Sequence, residues 1–333
     1  MINRYTLGVI AALALAGCGG PQVAPTGGAP QSLATGTHGK SWMLPEAKSE
    51  DLLYVTSPND SAVFVYAYPK DKFVGEITGF TKDPYGACVD KLGDVYVLET
   101  TVPTIVEYAH GDNTPLRTMF VPEGDEPLAC AVDPSSGDLA VTNADNVTES
   151  RRHGNSTILL YKHAKGKPKL VYDRGFGLGA GAVGFDVYDS AGNLFVDGDG
   201  DQIRLDELPK GSSNLENIAV SGTLIYQPGG MEWSGKYLSI IDSQCGQQPT
   251  SCDFQLQVSS SGATIANSIS LSGSVQVFQP WISGHTLIAP DISRQCGGSQ
   301  GGCVDLYKYP KGGYPTASFP VPSAFSAVVS KAR

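Results

Sequence analysis

One phrase recurs along this chain and limits what it can fold into. It is an apolar strand, a turn of the form Asp-x-x-Gly-Asp, and a second apolar strand. It is read in YGACVDKLGDVYVLET, LACAVDPSSGDLAVTN and GFDVYDSAGNLFVDG, and more weakly in GGMEWSGKYLSIID and QPWISGHTLIAPD. A second phrase follows each copy: TIVEYAHGDNTPLRTM, TILLYKHAKGKPKLVY, QIRLDELPKGSSNLENI, FQLQVSSSGATIANSI and VDLYKYPKGGYPTASF. Each of these is an alternating strand, a turn with Gly or Pro, and another strand. A unit therefore holds four short strands, A to D, at a period of about 45–55 residues, as in the blades of a β-propeller.

Five full units run from about Pro84 to Pro320. Before them, DLLYVTSPNDSAVFVYAYPKDKFVGEI supplies strands B, C and D without an A. After them, SAFSAVVSK supplies one lone strand. Joined, the two fragments complete a sixth blade. The expected fold is all-β: a six-bladed propeller of four-stranded antiparallel blades, its ring closed by the C-terminal strand and its open edges removed. The blade phrase resembles NHL-type repeats, similar to those of six-bladed secreted or lipid-anchored bacterial propellers, over nearly all of 51–333. That resemblance implies the fold and leaves the activity open, because propellers host binding proteins, scaffolds, lactonases and lyases.

Ahead of the blades stands a targeting segment. Arg4 gives a positive start, TLGVIAALALAG an apolar run too short for a comfortable membrane span, and LAGC ends it at Cys18. LAGC resembles a bacterial lipobox, which implies cleavage before Cys18 and lipidation of its thiol. Gly19 at the next position permits outer-membrane delivery. Residues 1–17 are thus expected to be a lipoprotein signal peptide, 18–50 a lipid anchor and flexible linker rich in Gly, Pro and Thr, and 51–333 the propeller. The expected location is the cell envelope, with the membrane met only through the lipid. A net charge of −10 and a pI near 4.9 exclude nucleic acid as the main partner.

Topology sorts the candidate residues. B–C loops and D-to-A connections share one face of a propeller; A–B and C–D turns share the other. His110 and His163 fall in C–D turns, His285 in an A–B turn, and only His153 in a B–C loop. They do not converge, which argues against a lyase-like histidine pair. Strand B is followed by acidic residues in blade after blade: Glu99, Asp145, Asp197, Asp242 and Asp291. They predict a loose acidic crown on the B–C face, able to take a cation, a polyol or a basic ligand, or else to cap turn amides. Arg151, Arg152 and His153 add a basic spot to the third B–C loop. In LFVDGDGDQI, Asp197, Asp199 and Asp201 occupy the first three ligand positions of a calcium loop. Gln202 stands where its Gly belongs and Leu208 where its Glu belongs, so a turn between strands B and C is the preferred reading and calcium the candidate cofactor.

Six cysteines remain after Cys18. Cys245 with Cys252, and Cys296 with Cys303, have equal spacing in consecutive B–C loops and predict two local disulfides. A four-cysteine metal site would bring its ligands closer. Cys88 and Cys130 lie in A strands with an offset of about one residue relative to the turn. Alternation predicts that they do not point alike, so buried free thiols are expected, with a bond between neighbouring blades as the alternative. No nucleophile elbow is present. The glycine-rich GFGLGAGAVGF has no following helix and is expected to be a rim loop. The functional expectation is a binding or scaffolding propeller with an envelope protein, glycan or small molecule as partner. The alternative is a propeller-type hydrolase or lyase, with or without metal assistance.

Overall fold

The turn of the repeated phrase closes on its own first aspartate. In the computed structural model, which describes residues 39–122, 126–144, 157–173, 184–198, 203–247, 250–296 and 301–333, Asp90 Oδ1 accepts the N–H groups of Leu92 and Asp94 at 2.8 and 2.9 Å. Asp189 does the same for Ala191 and Asn193, and Asp133 for Ser135. Gly93, Gly137 and Gly192 follow at φ of 80, 75 and 90°, a conformation that a side chain would strain. The phrase is therefore a hairpin with its turn chemistry built in.

Six sheets follow in chain order, each with four antiparallel strands, and Val220–Ser221 adds in parallel to the outer strand of blade 5. Blade 1 takes strand A from Ala327–Ser330 and B to D from Leu52–Ser57, Ala62–Ala67 and Lys72–Ile77. Blade 2 is Pro84–Val89, Val95–Glu99, Thr104–Tyr108 and Pro115–Phe120. Blade 3 is Glu126–Val132, Leu139–Ala144, Thr157–Tyr161 and Lys169–Asp173. Blade 4 is Asp186–Tyr188, Leu194–Gly198, Arg204–Leu208 and Glu216–Ile218. Blade 5 is Pro228–Ser234, Tyr237–Asp242, Cys252–Ser259 and Gly262–Ser270. Blade 6 is Trp281–Ser283, Thr286–Asp291, Cys303–Lys308 and Ala317–Pro320. Each A strand touches the A strands of both neighbouring blades, so the contacts run once round the ring and close it.

Closure is made by the C-terminal strand. Ala327–Ser330 pairs antiparallel with Leu52–Val55, and Ala327, Val328 and Val329 are buried. The ends are pinned as well. Asp51 accepts the Ala332 N–H at 2.9 Å and pairs with Lys331 at 2.8 Å. Ser330 Oγ bonds Gly93 O of blade 2 at 2.7 Å and His110 Nδ1 at 2.6 Å. His110 is thereby a clasp between blades.

A strand and a 3-10 turn stand before Asp51, inside the segment expected to be linker. Trp42–Met43 adds a fifth strand outside strand D of blade 1, and Trp42 meets Phe73 edge-on at 5.2 Å. Ala47, in the 3-10 turn Pro45–Lys48, is fully buried. The apolar WML patch (42–44) gives this stretch something to bury, which the Gly- and Pro-rich residues before it lack.

All six cysteines after Cys18 are bonded. Cys245–Cys252 and Cys296–Cys303 form as the spacing predicts. Cys88 and Cys130 correct the expectation of free thiols: they are joined, with 5.6 Å between their Cα atoms. Neighbouring blades stack face to face, so residues that meet must come from opposite faces of their own sheets. Cys88 pairs across from Tyr96 and Cys130 from Val141, and Tyr96 and Val141 belong to the one core between blades 2 and 3. A one-residue offset makes the two thiols point at each other.

Two outcomes are expected in chemical denaturation. Deleting 324–333 should cost upwards of about 5 kcal/mol and broaden the transition, since each buried Val stabilises by roughly 1.5–3 kcal/mol. An unchanged midpoint would show that closure contributes little. Replacing Cys88 and Cys130 by Ser should cost about 4 kcal/mol, against about 2.4 kcal/mol for either local pair, because the long loop restricts the unfolded chain more.

Candidate functional site

The described members of the acidic crown share one local geometry. Asp242 accepts the N–H groups of Tyr226 and Gln227, both at 3.0 Å, from the segment leading into strand A of its own blade, and that of Gln244 at 2.9 Å from the loop after it. Asp291 accepts Val275 at 2.5 Å and Gln276 at 3.0 Å, then Ser293 and Arg294 at 3.1 and 3.0 Å. Glu99 accepts Thr81 N–H at 3.3 Å, and burial raises its pKa. Each carboxylate ties the D-to-A connection to the end of strand B.

Asp197 sits one position earlier. It is fully buried, bonded through Oδ1 to Phe185 N–H at 2.8 Å, where blade 1 has Thr56 bonded to Ser326 N–H at 3.0 Å. Strand B of blade 4 includes Asp197 and Gly198; Asp199 and Asp201 lie outside the described residues, as do Asp145, Arg151, Arg152 and His153. Among the described residues, no three His, Cys, Asp or Glu side chains stand close enough to hold a metal ion.

The central channel holds a different group of residues. On the B–C side it is stoppered by aromatic rings. Phe325, leading into strand A of blade 1, stacks on Phe278 at 4.9 Å, meets Tyr85 edge-on at 4.8 Å, and stacks on Phe185 at 6.5 Å. Phe185 leads into blade 4, on the opposite side of the ring, so this contact spans the channel axis. Leu128, Ala129 and Ile292 fill in around the rings.

Beyond the plug is a cavity of ≈160 Å³ walled by strand A of all six blades. Asp186 of blade 4 and Glu232 of blade 5 both line it. Asp186 is 4% exposed, and neither of its carboxyl oxygens meets a hydrogen-bond partner from another described residue. Burial holds its pKa well above the ordinary carboxylate value, its own backbone N–H acting weakly the other way. Burial pushes Glu232 from 4.5 up to about 8. Gln279 donates its Nε2 to Ala87 O at 3.2 Å and leaves Oε1 without a partner. The cavity wall thus offers acceptors in excess of donors. Behind Glu232 the seam between blades 5 and 6 continues polar: Asp253 accepts Ser239 Oγ and is raised to about 7 by burial, and Gln255 bonds the Tyr309 hydroxyl at 2.7 Å.

The acidic crown was visible in the sequence; the channel acids were not singled out there. The repeats nevertheless carried a signal. Asp186 pairs with Val196 as Ala87 does with Val97, Cys130 with Val141 and Met231 with Ile240. A carboxyl in a column of Ala, Cys and Met is a local exception to the blade pattern.

No protein-family model matches the chain, and no curated protein matches its sequence. Solved structures do match its fold. A chain from the crystal structure of a nidogen/laminin complex superposes with a TM-score of 0.62 at 14% identity, over 85% of this chain and 99% of that one. A protein of unknown function from Bacteroides caccae gives 0.61 at 14% identity, over 85% and 100%. TolB from Acinetobacter baumannii gives 0.53 at 12% identity, over 80% of this chain and 62% of that one. At these identities the likeness is one of fold: the chain is a six-bladed β-propeller.

Asp242→Ala should lower stability by about 3 kcal/mol, because buried N–H groups lose their acceptor at roughly 1–3 kcal/mol each; urea unfolding measures it. Glu232 sets a pH dependence of known sign. The folded state keeps a proton that the unfolded state releases, so stability present below pH 4.5 is lost as pH rises through about 8. Glu232→Gln should make the decline in thermal melts shallower across the range, Asp253 and Asp186 contributing the rest with the same sign. An equal slope in the variant would place the titrating group elsewhere.

Proposed function

We propose that the protein is a lipid-anchored, extracytoplasmic binding propeller of the cell envelope, with NHL-like blades and a contact surface formed by its B–C loops. The observation that carries the reading is the complete pairing of the six cysteines after Cys18. Disulfides of this number persist in oxidising compartments, which is where a lipobox-type leader would send the chain. Two of the bonds brace B–C loops, and Asp242 and Asp291 tie the roots of those same loops to the D-to-A connections. A braced loop face suits docking, since groups already held lose less entropy on binding. The partner is an envelope protein, a glycan or a small molecule. One similar solved chain comes from a nidogen/laminin complex, in keeping with a protein partner.

The second reading, a hydrolase or lyase, would draw on Glu99, Asp197, Asp199, Asp242 and Asp291, with calcium at Asp197, Asp199 and Asp201. Binding is preferred over it because both oxygens of Asp242 and of Asp291 are already held by backbone N–H groups.

Two measurements test the proposal. Radiolabelled palmitate should enter the wild-type chain in bacterial cells and not Cys18→Ser, which should leave the membrane fraction; retention of Cys18→Ser in that fraction counts against the anchor. Charge reversal at Asp145, Arg151 and Arg152 should weaken capture of an envelope component at least tenfold, whereas Lys165→Glu in a C–D turn should not. The opposite pattern would assign the contact to the other face.

A further inference from the structure

The channel cavity is built to hold something that donates hydrogen bonds. Its wall carries an Asp186 carboxyl whose two oxygens meet no partner among the described residues, the Glu232 carboxyl, and the Oε1 of Gln279, likewise without a described partner. No Lys, Arg or His is among the described residues that line it. A propeller has no structural need for the carboxyl of Asp186, since the same column is filled by Ala87, Cys130 and Met231 in other blades. Leaving a buried carboxyl without a partner is destabilising, so the position is explained better by an occupant than by the fold.

The rest of the wall limits that occupant. Val187, Met231 and Trp281 present carbon surface beside the acceptors. A hard metal ion takes six to eight oxygen ligands, and the described residues provide no cluster of three ligating side chains. A primary ammonium ion fits both halves of the site. It brings donors and a positive charge to the carboxyls, and its carbon chain meets the apolar wall and the face of Trp281. The volume, ≈160 Å³, is below the roughly 300–1,000 Å³ of sites for drug-sized ligands, so the ion must be small. The aromatic plug of Phe325, Phe278, Tyr85 and Phe185 blocks the B–C end, which leaves the face of the A–B turns as the way in.

We propose that the channel binds a small primary alkylammonium ion, with its nitrogen at the Asp186 carboxyl and its carbon chain against Met231 and Trp281, and that it enters from the A–B turn face, Glu232 adding a second acidic group to the channel wall. This site is separate from the B–C loop surface and does not depend on it. Binding carries a proton signature. Carboxyls that hold protons in the empty cavity must release them to pair with the cation.

The test is calorimetric titration of the purified full-length protein with n-butylammonium chloride, n-butanol and calcium chloride. The amine is expected to bind saturably and to release protons, read from the dependence of the heat on buffer ionisation. Its apparent affinity should rise from pH 6 towards the titration of Glu232 at about 8. Asp186→Asn should weaken it at least tenfold, yet melt no lower than wild type, because Asp186 has no described side-chain bond to lose. Glu232→Gln should make that pH dependence shallower, with the remainder set by Asp186. The proposal is overturned if folded wild-type protein shows no saturable heat with the amine up to millimolar concentration. It is overturned too if butanol binds equally well, if calcium binds in its place, or if Asp186→Asn retains wild-type affinity.

Discussion

The pairing of Ala327–Ser330 with Leu52–Val55 is the interaction on which the rest of the structure rests. Without it, five blades and a remnant would end in two exposed sheet edges. With it, every A strand has a neighbour on both sides, and the channel acquires a closed wall. The pairing joins residues some 275 positions apart in sequence; the loop-closure entropy for such a contact grows only slowly with length. The flanking bonds of Asp51, His110 and Gly93 raise the clasp above a bare strand pair.

Face-to-face stacking of the blades explains two further features. It reverses the parity of residues that meet, so Cys88 and Cys130 bond across blades 2 and 3 because their positions differ by one. It also turns the innermost strands into a shared wall, where a side chain from one blade faces residues of several others. Phe325 and Phe185 meet across the axis for this reason, and Asp186 and Glu232 line one cavity although they belong to different blades.

The two acidic groups behave differently because of what surrounds them. Crown carboxylates at the ends of strand B have backbone N–H groups within reach and serve to hold loops in place. The channel carboxyls lie among Ala, Val, Met and Trp, where burial favours the protonated form, and the oxygens of Asp186 meet no partner among the described residues. Acidity alone therefore did not distinguish scaffold from site. The number of nearby donors did, and that number depends on the packing of strands far apart in the chain.

The sequence on its own determined the blade count and the closing role of the C-terminal strand, because the count of repeat phrases leaves one incomplete blade and one spare strand, and the A–B turns and the two local disulfides, because each follows from hydrogen bonding or spacing within one hairpin or loop. LFVDGDGDQI was less legible: the sequence placed its first aspartate after strand B in the B–C turn, whereas Asp197 lies within strand B, buried and bonded to the Phe185 N–H. Tertiary structure alone decided the Cys88–Cys130 bond, the Trp42–Met43 strand, the aromatic plug and the presence of Asp186 and Glu232 in the wall of one cavity. Each of these depends on which face of one sheet meets which face of the next, and strand alternation specifies faces only within a single sheet.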